Sequence, residues 1–256
     1  MNVEIDLNCD TGESFGAYRI GDDDALLRLV SSANVACGFH AGDATVMRRT
    51  VRSCLEYGVR IGAHPGLPDL QGFGRRALAL SAEDVYDITL YQIGALQAIA
   101  AAEGGLVEHV KPHGALYHMA ESDEGVAEAI ARAAARTGGL TVVGLSGGRL
   151  VAAARAIGAP VWEEAFADRA YRKDGGLLPR SAPGAVLSDP AAAAAQALRL
   201  ARDGEAAADG GGIVRMKVDT ICIHGDGPRA SAFADAIRRA LETAGIRIGR
   251  ETNGTR

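Results

Sequence analysis

Polar side chains recur where short apolar runs of the sequence end. Five of them stand at or just past the ends of five strand-like runs, namely Asp10, His40, His64, His113 and His224. A single histidine at a strand end is usually a hydrogen-bonded surface residue, but a coincidence across five strands favours one shared site. One carboxylate with two neutral imidazoles suits a zinc or manganese ion. We therefore predict a divalent metal site at Asp10, His40 and His64, with His113 and His224 as an acid–base pair in an alternative interpretation.

Lys111 lies inside a strand-like run. A buried ammonium needs a carboxylate partner or an anionic ligand. Asp6, Asp10 or Glu163 could be a structural partner, and catalysis or substrate binding is the other interpretation.

The sixth strand-like run carries two adjacent carboxylates, Glu163 and Glu164, and Asp168 and Arg169 follow it. Such groups can supply a general base and an anion clamp. We expect catalytic roles for Asp10, Lys111, Glu163, His113 and His224. We expect substrate contacts from Asn8, Arg169, Tyr171, Asp226, Gly147 and Gly148.

A glycine-containing segment, residues 144–149, follows the fifth run and precedes a helical pattern. Backbone N–H groups at a helix start favour an anion, so a phosphate could bind at Gly147 and Gly148, although glycines also serve ordinary tight turns. The sequence contains no GxxxxGKS/T motif and no strand-linked GxGxxG motif, so a conventional ATPase is disfavoured.

Seven strand-like runs alternate with alanine-rich helical stretches. The runs are residues 3–8, 33–37, 59–63, 107–112, 140–144, 160–166 and 219–224. This alternation is typical of βα units around a parallel sheet. It predicts an α/β fold, a closed seven-stranded βα-barrel in one domain over residues 1–256, with a doubly wound open sheet as the alternative. Barrel active sites lie at the carboxyl ends of the strands, where the polar residues stand.

Composition excludes several classes of function. The 256 residues are 48% hydrophobic and 23% charged with a net charge of −5, which is typical of a soluble globular protein without a nucleic-acid or membrane partner. The first residues do not form a secretory signal and the four cysteines are scattered, so we expect a cytoplasmic protein without disulfides. Residues 167–187 predict a functional or mobile loop, and residues 203–212 a surface turn.

Long ordered motifs carry a resemblance to a known family. They include DLNCDTGESFG at 6–16, SANVACGFHAGD at 32–43, GAHPG at 62–66, HVKPHGALY at 109–117, FADRAY at 166–171 and IHGD at 223–226. Over about residues 3–241, the sequence resembles the LamB/YcsF family of 5-oxoprolinase components.

The resemblance implies a βα-barrel of the glycoside hydrolase/deacetylase type. It also implies ATP-dependent opening of the lactam 5-oxo-L-proline to L-glutamate, in a complex with 5-oxoprolinase subunits B and C. We expect Asp10 or Glu163 to activate water while Lys111 and Arg169 hold anionic groups. The alternatives are a metal-dependent amidohydrolase or deacetylase that acts alone, and a non-catalytic lactam-binding regulatory subunit.

Overall fold

The computed structural model describes residues 4–224 and 229–249 of the chain. The strands are β1 (Glu4–Thr11), β2 (Ser32–Ala36), β3 (Arg60–His64), β4 (Val107–Val110), β5 (Thr141–Leu145), β6 (Val161–Phe166), β7 (Glu205–Ala207), β8 (Ile213–Arg215), β9 (Thr220–Ile223) and β10 (Arg247–Ile248). The helices are α1 (Asp23–Leu27), α2 (Ala44–Tyr57), α3 (Ala82–Ala102), α4 (Gly114–Ser122), α5 (Glu124–Arg136), α6 (Arg149–Ala156), α7 (Pro190–Asp203) and α8 (Ala230–Thr243).

Seven parallel strands close into a barrel. β1 to β6 pair in chain order, β9 pairs with β6, and β9 also pairs with β1, where Asp6 stands opposite Thr220. This closure confirms the seven-stranded βα-barrel and excludes the open sheet. The short β10 adds a further strand beside the start of β1, with Glu4 opposite Arg247.

Residues that typically cap helices stand at both ends of α2 and at the start of α3. At α2, the Asp43 carboxylate accepts hydrogen bonds from the Thr45 and Val46 N–H groups, and Gly58 ends the helix in the left-handed region at φ 67°. At α3, Ser81 and Asp84 form the expected capping box. Val51 and Cys54 of α2 are fully buried, which turns the apolar face of this helix toward the barrel.

The inward faces of the strands carry polar groups in layers. Alternation along β1 places Asp6, Asn8 and Asp10 inside the barrel, while Ile5, Leu7 and Cys9 pack outward into the aliphatic core. In the layer nearest the strand starts, the Asp6 carboxylate accepts hydrogen bonds from the Ser32 and Thr220 hydroxyls. Buried polar groups of this kind are tolerated because they bond to one another.

Two segments outside the barrel differ in how well they were predicted. The 167–187 loop folds over the carboxyl ends of the strands, and its residues 177–181 line the cavity there, as a functional loop would. The surface turn predicted at 203–212 is shorter than expected: β7 and β8 form an antiparallel hairpin, residues 209–212 are its exposed turn, and Ala208 bridges to Tyr171. The paired stretches are only three residues each, too short to show a strand pattern.

Among the described helices, none combines the length and apolar character that crossing a bilayer would require.

Candidate active site

A cavity of about 520 Å³ opens at the carboxyl ends of the barrel strands. Its base and walls include Asp10, Glu13, His64, Lys111, His113 and His224, and the 167–187 loop contributes Arg169, Arg172, Leu177, Leu178 and Arg180. The volume is in the usual range for a site that takes a small molecule, about 300–1,000 Å³. The structure therefore brings most of the polar residues predicted to be catalytic to one cavity.

Lys111 lies at the centre of the cavity base. It follows β4, and its backbone N–H continues the ladder by donating to the Ala63 carbonyl at 2.9 Å, so its side chain points into the barrel. The ammonium contacts the Glu164 carboxylate at 2.8 Å and the Asp10 carboxylate at 3.0 Å. Burial alone would lower the pKa of Lys111, but Asp10, Cys222 and Glu164 raise it well above its usual value. The ammonium is therefore charged at neutral pH.

Asp10 is ionised as well. Burial alone would raise the pKa of this carboxyl, but the neighbouring His64 and Lys111 hold it well below its usual value. Asn34 also donates a hydrogen bond to Asp10 Oδ1 at 2.9 Å. An opposite-charge pair at the base of a cavity can polarise a carbonyl and orient a water molecule.

A layer of amides supports this pair from below. Asn8 donates to Glu164 at 3.1 Å, and its own Oδ1 accepts from Lys111 at 3.3 Å and from Asn34 at 2.8 Å. Asn8, a predicted substrate contact, is therefore buried beneath Lys111 and outside the cavity lining. This placement makes it a positioning residue for the ammonium.

His224 pairs with a second carboxylate at the cavity, and one of its ring nitrogens lies within 4.8 Å of ligand-capable atoms of Asp10 and Cys222. Its Nδ1 lies 2.8 Å from Asp168 Oδ2, and its ring stacks on Phe166 at 5.6 Å between centroids. Because a carboxylate accepts the Nδ1 proton, Nε2 is the nitrogen left to take a proton from a reactant. Burial alone would raise the pKa of Asp168, but His224 lowers it, so the carboxylate stays charged.

Three histidines and a glutamate form a second cluster, defined here as the histidine cluster: Glu13, His40, His64 and His113. Their ligand-capable atoms all lie within 4.8 Å of one another, so they could hold a metal ion. His40 stacks on His113 at 3.7 Å between ring centroids. Burial lowers the pKa of His113 to about 3. Asp10, predicted as a ligand with His40 and His64, lies 3.5 Å from His64 Nε2 and falls in another group with Cys222 and His224.

Arginines surround the cavity mouth. Arg75, Arg172 and Arg180 line it together with Arg169, which donates to the Leu178 and Ala185 carbonyls. Burial lowers the pKa of Arg169, and the nearby Arg180 lowers it further. Like charges that converge in this way favour an anionic ligand between them.

Two predicted side-chain placements are wrong. Glu163 was a possible partner of Lys111, but alternation along β6 turns Glu163 outward to Arg155 and Ser146, while Glu164 faces the barrel. Tyr171 is fully buried outside the cavity lining, and its hydroxyl accepts from the Phe166 N–H at 2.6 Å. Glu163 and Tyr171 therefore lie away from the space that a substrate could enter.

The helix start at Gly147 and Gly148 is also closed to a phosphate. The Gly147 N–H donates to the Glu163 carboxylate at 2.9 Å, and the Arg149 N–H donates to the Glu121 carboxylate at 2.8 Å. These carboxylates already take the anion position at the N-terminus of α6. Asp226, another predicted substrate contact, lies outside the described residues.

Sequence reasoning missed Glu13, Arg75 and Arg180 as cavity residues. Glu13 comes after β1 and Arg75 lies in an irregular segment, so strand periodicity carried no signal for them. Arg180 belongs to the long loop that was predicted to be functional, but the charge of a loop residue does not reveal where the loop folds.

Burial of His109 should make the folded protein less stable in acid. His109 is buried in the barrel, its Nε2 bonds Asn34 Oδ1 at 2.9 Å, and burial lowers its pKa from 6.5 to about 4. On acidification, His109 is therefore protonated in the unfolded chain at a higher pH than in the folded protein. About 3 kcal/mol of the free energy of unfolding should be lost as the pH falls from about 6.5 to about 4. Urea unfolding of the wild type and the His109→Gln variant over this range measures it. A variant with the same pH slope as the wild type would contradict the assignment.

Comparisons with known proteins agree with this architecture. The LamB/YcsF family profile matches residues 5–255. The chain is 52% identical over 249 residues to the A component of 5-oxoprolinase from Bordetella pertussis, covering 97% of this chain and 99% of that one.

Two solved structures share the fold. The lactam utilization protein from Thermus thermophilus is 49% identical with a TM-score of 0.92, covering 96% of this chain and 99% of that one. A family 4 carbohydrate esterase from Streptomyces lividans, 16% identical with a TM-score of 0.54 over 98% and 94% of the two chains, shares the barrel fold alone. On the profile match and the identity to its relatives, this chain belongs to the LamB/YcsF family.

Proposed function

We propose that this chain opens the ring of 5-oxo-L-proline to give L-glutamate, as the A component of a multisubunit enzyme that hydrolyses ATP. The observation that carries the proposal is the Lys111 ammonium, held by Asp10 and Glu164 at the base of a cavity with an arginine-lined mouth. The relatives named as A components of 5-oxoprolinase, which match nearly the full chain, support the choice of substrate.

The cavity has groups for each part of a cyclic amino-acid lactam. Arg75 and Arg180 at the mouth suit its carboxylate, and the Lys111 ammonium suits the lactam oxygen, on which negative charge develops when the carbonyl is attacked. The apolar walls formed by Tyr117, Phe166 and Leu177 suit the ring methylenes.

Hydrolysis needs a water molecule as the nucleophile. Water oxygen bonds to the lactam carbon, the C–N bond breaks, and the ring nitrogen takes up a proton. His224, oriented by Asp168, is placed to accept the proton of the attacking water, and the ionised Asp10 is placed to orient that water. His224 therefore replaces Glu163, which faces outward, as the leading general base.

ATP is consumed by the assembled complex with subunits B and C. A five-membered lactam is a resonance-stabilised amide whose closure is favourable, so its opening requires coupling to a phosphoryl transfer. Phosphorylation of the lactam oxygen by ATP, which releases ADP, would activate the carbonyl carbon toward water. Cleavage of the C–N bond then leaves γ-glutamyl phosphate, and a second water molecule releases L-glutamate and phosphate. Within the described residues, carboxylates occupy the N-terminus of α6, so the phosphate contact expected from sequence at Gly147 and Gly148 has no part in this step.

We place the reaction in the cytoplasm, in one domain over residues 1–256. All four cysteines are buried and unpaired, as suits a reducing compartment that also supplies ATP.

Reconstitution tests the proposal. We expect ATP-dependent glutamate production from 5-oxoproline only when this chain is combined with both partners, and not from this chain alone or from the partners alone. The Asp10→Asn variant should lower the rate at least about 10-fold, while Asp87→Asn, an exposed carboxylate on α3, should not. Turnover by the partners alone, or a fully active Asp10→Asn complex, would contradict a catalytic role and favour the regulatory alternative.

The histidine cluster favours a second candidate, a metal-dependent amidohydrolase that acts alone. It predicts hydrolysis of an amide by this chain without ATP or partners, and loss of that activity on chelation. The same reconstitution therefore separates the two functions.

A further inference from the structure

Two histidines of the histidine cluster have their tautomers fixed by backbone carbonyls. His64 Nδ1 lies 2.7 Å from the Lys111 carbonyl oxygen, and His113 Nε2 lies 2.8 Å from the Phe73 carbonyl oxygen. A carbonyl oxygen only accepts hydrogen bonds, so each of these nitrogens must carry the proton. In its neutral form, each ring then presents an unprotonated nitrogen on its other side, His64 Nε2 and His113 Nδ1.

These two unprotonated nitrogens face each other at 3.0 Å. Two lone pairs at hydrogen-bonding distance repel unless a positive centre lies between them, and that centre is either a proton or a metal ion. Both rings are buried, with 1% and 4% of their surfaces exposed, so the repulsion is not screened by water.

His40 decides between the proton and the metal. Its ring is 1% exposed, and neither of its nitrogens has a hydrogen-bond partner among the described residues. A proton shared by His64 and His113 would leave His40 unsatisfied, at a cost that proteins rarely tolerate. A metal ion can accept lone pairs from all three rings.

The carboxylate of Glu13 completes the set. Its Oε1 lies 3.7 Å from His113 Nδ1 and 3.9 Å from His40 Nε2. Ligands at about 2.0–2.2 Å from a tetrahedral zinc ion are roughly 3.3–3.6 Å apart. The His64–His113, Glu13–His113 and Glu13–His40 separations of 3.0, 3.7 and 3.9 Å lie on both sides of this range, and all ligand-capable atoms of the cluster lie within 4.8 Å of one another. His40 stacks on His113 at an interplanar angle of 5°, so its ring must turn out of the stack to reach the same centre.

We propose that His64, His113 and Glu13, with His40 as the fourth ligand, bind one divalent transition-metal ion of the zinc class. Donation of the distal ring N–H to a backbone carbonyl is the usual support for a metal-binding histidine, and His64 and His113 both have it. This ligand set differs from the one expected from sequence, because Asp10 is held by Lys111 and Asn34. A divalent ion beside Lys111 would act as a Lewis acid on a substrate carbonyl. The proposal is independent of ring opening, since it concerns metal binding without substrate.

Metal titration of the full-length chain tests the proposal. After removal of metals with a chelator, calorimetry with Zn²⁺ should give one tight site per chain, and Co²⁺ should give visible absorption of a tetrahedral site. His64→Ala and His113→Ala should each weaken Zn²⁺ binding at least about 100-fold. The matched control is His118→Ala, an exposed histidine on the same cavity wall, which should bind as the wild type does. Absent binding, or equal affinities for all three variants, would overturn the proposal.

Nitrogen NMR on the ¹⁵N-histidine-labelled wild type covers the case in which the alanine variants do not fold. With Zn²⁺ bound, His64 should be the Nδ1–H tautomer and His113 the Nε2–H tautomer. Addition of Zn²⁺ should shift His64 Nε2 and His113 Nδ1, while the protonated nitrogens keep their protons. If these two resonances do not respond to Zn²⁺, the site is not formed by these residues, whatever the activity of the complex.

Discussion

Replacement of Lys111 with methionine should lower kcat/KM for ATP-dependent glutamate formation by on the order of 10²–10³-fold in the reconstituted enzyme. Methionine keeps most of the side-chain volume and removes the charge. The lost group is the ammonium that contacts Asp10 and Glu164 at the cavity base, where it can stabilise negative charge on the lactam oxygen. Steady-state kinetics measures the loss, with Lys173→Met, an exposed lysine of the 167–187 loop, as the matched control.

The same substitution should also destabilise the fold. It leaves the Asp10 and Glu164 carboxylates buried without their cation, and breaking a buried ion pair in this way costs about 3–5 kcal/mol. The deficit should shrink as the pH falls, because a proton can then neutralise one of the two carboxylates. Chemical denaturation of both proteins at several pH values measures this change.

A double variant separates the catalytic loss from the structural one. Lys111→Met with Glu164→Gln removes a positive and a negative charge together, so most of the stability should return while activity stays low. If activity returned with stability, Lys111 would be a structural cation and not a catalytic one.

In β1, the alternation of polar and apolar residues correctly predicted which side chains face the interior of the barrel. Asp6, Asn8 and Asp10 alternate with apolar residues, and all three lie inside. The same reasoning could not choose between Glu163 and Glu164, because both faces of a barrel strand are covered and both residues are buried. The contacts of Trp162 with His109 and of Phe166 with Lys111 identify the inward face, and these depend on the closed barrel.

Contacts made after the strands end were harder to predict. Residue types at 10, 64, 111, 113 and 224 indicated a site, and the structure brings them to one cavity. Tyr171 and Gly147 were also predicted to contact the substrate. In the structure, the Tyr171 hydroxyl accepts a hydrogen bond from the Phe166 backbone N–H, and the Gly147 N–H donates to the Glu163 carboxylate. Such partners within the same chain depend on tertiary packing, and the local sequence pattern carries no information about them.

Replacement of Asp168 with asparagine should lower kcat by on the order of 10³–10⁴-fold while it changes KM much less. Asp168 accepts the Nδ1 proton of His224 and so leaves His224 Nε2 unprotonated toward the cavity. An asparagine can present its NH₂ group instead, which favours the opposite tautomer, with the proton on Nε2 and no base for the attacking water. A carboxylate-to-amide change in a comparable histidine–aspartate pair of serine proteases has an effect of about 10⁴.

A purely structural role for Asp168 predicts a different result. Loss of a partly exposed ion pair would lower stability and leave kcat nearly unchanged, whereas a tautomer change lowers kcat in a protein that remains folded. Asp174→Asn is the matched control, since Asp174 is an exposed aspartate of the same loop that pairs with Arg172. His224→Gln should reproduce the kcat of Asp168→Asn, and the double variant should be no slower than either single one, because the two residues act as a unit. Additive losses in the double variant would mean that Asp168 acts on the reaction without His224.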